Sequence, residues 1–125
     1  MASVRVRLLI FSGRPDPEWV VEGESMQALL ERARAAVGRE PAYPPQPGGL
    51  GYRGFVIHHQ DEVLALPREL VVFHGVVTEG PGPRPSYWRD VSGLESWLLD
   101  QARRQGYGEI LAAAGVQAPD GPHPG

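Results

Sequence analysis

The sequence contains no cysteine, no lysine and no asparagine. Zero cysteine excludes disulfides, thiolate nucleophiles, zinc ribbons and Cys-ligated iron–sulfur clusters. Without lysine, all 12 basic residues are Arg, and 15 acidic residues leave a formal net charge of −3. That balance argues against a general nucleic-acid binder, whose surface carries a basic field. Long apolar runs are also missing, since none approaches the roughly 18 residues needed to cross a bilayer. The opening residues Met1-Ala2-Ser3-Val4-Arg5-Val6-Arg7 alternate and form no continuous apolar stretch, so no secretory leader is expected. The expectation is a bacterial cytoplasmic protein whose partner is neither nucleic acid nor membrane.

Glycine and proline are abundant instead, at 16 and 13 of 125 residues. They cluster in the 12–17 turn, in loops near 38–51 and 79–85, and in the final residues, which marks them as loops of an ordered chain. The apolar fraction of 42% and charged fraction of 22% are those of a globular domain. One domain over residues 1–115 is expected, with 116–125 as a disordered tail.

Between the loops, the pattern is legible. Val4, Val6, Leu8 and Ile10 alternate with Arg5 and Arg7, which predicts a strand. Trp19-Val20-Val21 reads as a short second strand. Met26, Leu29, Leu30, Ala33 and Val37 fall at helical spacing and predict a helix over 24–37. Tyr52–His58 and Leu70–Thr78 read as strands, the latter apolar on both faces. Ser92 and Glu95 form a capping-box pattern before a helix bearing Leu94, Leu98 and Ala102, which Gly106 ends. Tyr107–Ala114 reads as one more short helical turn. The fold class is therefore α+β, a two-layer sandwich of about four strands in a mixed or antiparallel sheet with two helices on one face.

Chemical motifs are sparse. Gly49-Leu50-Gly51-Tyr52-Arg53-Gly54 matches a dinucleotide fingerprint formally, but a proline-rich loop precedes it and a strand follows it. His58, His59 and His74, with Asp61 and Glu62, are a candidate set for zinc or another divalent ion. Adjacent residues of a strand point to opposite faces, so only one of His58 and His59 readily joins His74. No nucleophile stands beside His74, and no convergent carboxylate pair is visible, so an enzyme is disfavoured and no cofactor is expected.

Ser12–Trp19 is the most distinctive stretch. Two prolines stiffen it, which suits Arg14 to clamp a carboxylate or phosphate and Trp19 to anchor a partner. Internal pairing of Arg14 with Asp16 and packing of Trp19 beneath the turn are the structural alternatives. Together with Arg53, these residues are the candidate partner-binding set: Arg14, Asp16, Trp19 and Arg53.

Three segments occur in order: Ser12-Gly13-Arg14-Pro15-Asp16-Pro17-Glu18-Trp19, then Gly51-Tyr52-Arg53-Gly54-Phe55, then Leu94-Glu95-Ser96-Trp97-Leu98-Leu99. In these the chain resembles a set of small bacterial proteins with an SGRPxPxW turn, a GYRGF strand start and an LExWLL helix. The resemblance implies a recurring domain over most of residues 4–106 and brings no catalytic residue or cofactor with it. The expected function is a small non-catalytic binding domain that recognises a protein or peptide through the Arg14/Trp19 turn or by strand addition at an open sheet edge. A His/carboxylate metal-binding protein and an enzyme with an unfamiliar site are the alternatives.

Overall fold

A computed structural model describes residues 3–46, 51–80 and 83–116. Strand β1 (Val4–Leu8) buries Val4, Val6 and Leu8 and exposes Arg5 and Arg7, as its alternation requires. It pairs with β2 (Glu18–Val21) on one side and β3 (Phe55–His58) on the other. Strands β4 (Glu69–Phe73), β5 (Val76–Glu79) and β6 (Ser86–Arg89) extend the sheet in sequence order. The full order is β2-β1-β3-β4-β5-β6, with every neighbouring pair antiparallel. The sheet thus has six strands, where about four were expected.

Two differences explain the count. Leu70–Thr78 is a hairpin: His74 (φ 51°) and Gly75 (φ 75°) form a two-residue turn, with Phe73 facing Val76. Positive φ at both central residues gives the turn whose twist matches the strands. The turn was hidden because both faces of each strand are apolar. Strand β6 was missed because it has only four residues and lies directly behind a proline-rich loop.

Helix α1 (Gly23–Ala36) buries Met26, Leu29, Leu30, Ala33 and Ala36, close to the predicted stripe. Helix α2 (Leu94–Ala102) buries Leu94, Leu98 and Ala102. Both helices share one core with Val6, Phe55, Ile57, Leu70, Val72 and Val77, so they cover the same face of the sheet. After α2 the chain kinks at Gly106 (φ 97°) and continues into the short helix α3 (Gly108–Ala113). Val116, just past the expected domain boundary, donates to Leu111 and packs on the core. The expected tail from 117 onward lies outside the described residues.

The start of α2 differs from the capping box. Gly93 holds the N-cap position with φ 72°, and Asp90 accepts from the amides of Leu94 and Glu95, both at 2.8 Å. Ser92 donates instead to the carbonyl of Arg32 at 2.7 Å. Glu95 reaches the β4–β5 turn, accepting from the amides of His74 and Gly75 and from the Tyr52 hydroxyl at 2.5 Å. One carboxylate therefore joins a helix, a hairpin and the approach to β3.

Gly54 shows how tightly that approach is built. At φ 93° it sits so close to β4 that an added Cβ would lie 2.7 Å from the Phe73 Cβ and closer still to the Val72 carbonyl. It leads into a strand, and no helix follows it, so the glycine-rich motif lacks the helix N-terminus a dinucleotide needs. Gly49 lies outside the described residues.

Candidate functional site

The proline turn is held by side chains that bond to the main chain. Asp16 accepts from the amides of Ile10 (3.0 Å) and Phe11 (2.7 Å) through one oxygen. Arg53 donates to the carbonyls of Phe11 (2.7 Å) and Gly51 (3.3 Å). Trp19 is 8% exposed and lies edge-on to Phe55 and tilted against Tyr107, inside the core. The structure thus brings Asp16 and Arg53 together at Phe11 as supports of the turn and withdraws Trp19 from the surface. Trp19 is a core residue, so it offers no exposed anchor. Arg14 stays outside, its guanidinium 3.7 Å over the Phe11 ring. Among the described residues it makes no ion pair, so it does not pair with Asp16.

The histidines do not converge. His58 faces the helix-free side beside Arg5 and Arg7. His59 is buried on the other side, where its Nε2 lies between the carbonyls of Leu66 (3.1 Å) and Pro67 (3.0 Å) and its Nδ1 accepts from the Asp61 amide. These partners place the ring proton on Nε2 and leave neither nitrogen for a ligand. His74, expected in a central strand, occupies the hairpin turn, five positions along from the Glu69 that faces His58. That spacing is roughly 15 Å of strand. Asp61 caps the 3₁₀ turn Glu62–Leu64, and Glu62 pairs with Arg68. Among the described residues, no three His, Asp or Glu side chains stand together as a metal site.

The two sheet edges are unlike each other. Along β6, the segment 40–42 lies as an extra short ladder: Ala42 donates to Tyr87 (3.0 Å), Arg89 donates to Glu40 (2.7 Å), and Pro41 bridges Trp88. A depression of about 600 Å³ beside it is bordered by Pro41, Tyr43, His74, Val76 and Arg89, with the Arg89 guanidinium paired to Glu40. At the opposite edge, β2 has no such cover among the described residues. Leu8 donates to Pro17, which fixes the hydrogen-bonded register of the β1–β2 pair. Trp19 and Val21 therefore bond inward, and the main-chain groups of Glu18 and Val20 point outward. Val20 is 47% exposed. Beside this edge, a polar cleft of about 230 Å³ is lined by Glu22, Ser25, Gln101 and Gln105.

Sequence reasoning named strand addition but not the strand. The signal was available in part: Pro15 and Pro17 lack the amides that a longer β2 would donate to β1, which sets where the strand begins.

No family model, no curated protein and no solved structure matches this chain. No helix among the described residues is long and apolar enough to cross a membrane.

Proposed function

We propose that this chain is a non-catalytic binding domain that takes an extended protein or peptide segment along β2. The observation that carries this reading is the outward main chain of Glu18 and Val20 on an edge that no described residue covers, opposite an edge that the segment 40–42 covers. Unpaired strand edges recruit strands because each added pair satisfies two sets of polar groups. A four-residue edge is short, which suits a reversible peptide contact more than a large permanent interface.

Val20→Pro tests the reading. Its amide points away from β1, so proline deletes an outward donor and spares the internal ladder. A random octapeptide library panned on the native chain should enrich binders whose affinity drops about tenfold or more on Val20→Pro, given a lost hydrogen bond and a ring in the pairing plane. The melting temperature should change by only a few degrees. Enriched peptides that bind the variant equally well, or no enrichment at all, would sink the proposal.

A further inference from the structure

An extended segment on β2 must end at the proline turn. The outward positions run Val20, then Glu18, then Asp16, which stands between Pro15 and Pro17. Beyond that point the chain turns away, and sheet pairing stops. All neighbouring strands here are antiparallel. A segment added in the same sense sends its C-terminal end toward the turn.

Arg14 belongs to that turn and is exposed. The Phe11 ring covers one face of its guanidinium at 3.7 Å. The stack leaves the N–H fork available in its own plane, the arrangement that receives a carboxylate in two parallel hydrogen bonds. No carboxylate of the described chain takes that place: Asp16 accepts from Ile10 and Phe11 through one oxygen and forms no ion pair with Arg14. The other end of β2 carries the exposed carboxylates Glu22 and Glu24. Glu18, the carboxylate of β2 at the Arg14 end, is engaged by Arg5 at 3.0 Å, so among the described residues Arg14 is left as a charge without an ion pair where an antiparallel segment ends, and carboxylates stand where it begins.

We infer that Arg14 reads the C-terminal carboxylate of an extended segment paired antiparallel to β2. This inference rests on the strand-addition reading and adds the chemistry and direction of the ligand.

Enriched octapeptides, synthesised as free acids and as C-terminal amides, can be titrated by fluorescence anisotropy against the native chain, Arg14→Gln and Arg14→Lys. Amidation should weaken binding to the native chain about tenfold, the scale of one charge-assisted contact. Arg14→Gln should weaken the acid similarly and leave the amide unchanged, and Arg14→Lys should restore part of the loss. Thermal melts of the variants separate loss of the contact from loss of fold. Insensitivity to amidation, or equal weakening of both forms by Arg14→Gln, overturns the carboxylate assignment and leaves strand addition standing. Binding that Val20→Pro does not weaken, or no binding by any peptide, overturns both.

Discussion

Tyr52 carries the molecule's clearest electrostatic signature. Burial, then the hydrogen bond from its hydroxyl to Glu95, then the Glu95 charge, all hold its proton well above the ordinary tyrosine value. The unfolded chain therefore loses this proton first as pH rises. The contribution of the site is intact below about pH 10 and declines above it. Tyr52→Phe should cost about 1 kcal/mol at neutral pH, a typical net hydrogen bond. It should also flatten the alkaline decline of denaturant midpoints relative to the native chain. Parallel pH profiles for the two proteins would refute the assignment. None of this was legible in the sequence. Glu95 had a local explanation in the capping pattern, and its real partners lie 43, 21 and 20 positions away. Asp16 and Arg53 were legible as special positions, yet their role was not, because their partners are main-chain atoms that carry no sequence signal.

The elements themselves were read well where one face is apolar and the other polar. Strand β1 and helix α1 are such cases, and their ends fall within a few residues of expectation. Leu70–Thr78 failed for the opposite reason. Val72 and Val77 both point into the core, although an unbroken strand would send residues five apart to opposite faces. That change of parity is the trace of the turn, and it was masked by Val71 and Val76. The helix cap misled in another way: Ser92 and Glu95 have the right spacing, but Gly93 takes the cap position and Asp90 supplies the acceptors. Asp90→Ala, which frees two amides of the first turn, should destabilise by about 1–2 kcal/mol. Ser92→Ala, which loses a hydrogen bond to Arg32, should cost about 1 kcal/mol. Chemical denaturation of the two variants checks the order, and a larger loss for Ser92→Ala would restore the capping box.

At the scale of the whole molecule, the α+β class and the placing of both helices on one face followed from simple covering arguments. The state of the edges did not, because it depends on where a loop happens to run. The segment 40–42 reads as part of a proline-rich connection and turns out to guard β6. Ala42→Pro removes the amide that bonds Tyr87 and should loosen that guard. We expect a loss of about 1 kcal/mol together with concentration-dependent association in sedimentation velocity, since a bared edge recruits other chains. A variant that sediments like the native chain at every concentration would show that the guard is dispensable.

The strand order has a consequence for how the chain is made. Strand β1 sits between β2 and β3, so the hairpin it forms with β2 leaves its other side unpaired until β3 arrives. Roughly 50 residues separate the end of β1 from β3, which at 5–20 residues per second is about 2–10 s of translation. Until β3 is made, any ribbon of β1 and β2 has Val4, Val6 and Leu8 on one face and an unpaired rim. Arg5 and Arg7, which alternate with them, put charge into every pairing that rim can offer a neighbouring nascent chain. In the finished sheet Arg5 pairs with Glu18 at 3.0 Å, whereas in a ribbon of β1 and β2 alone both arginines would stand along the open rim, where charge disfavours pairing with another chain.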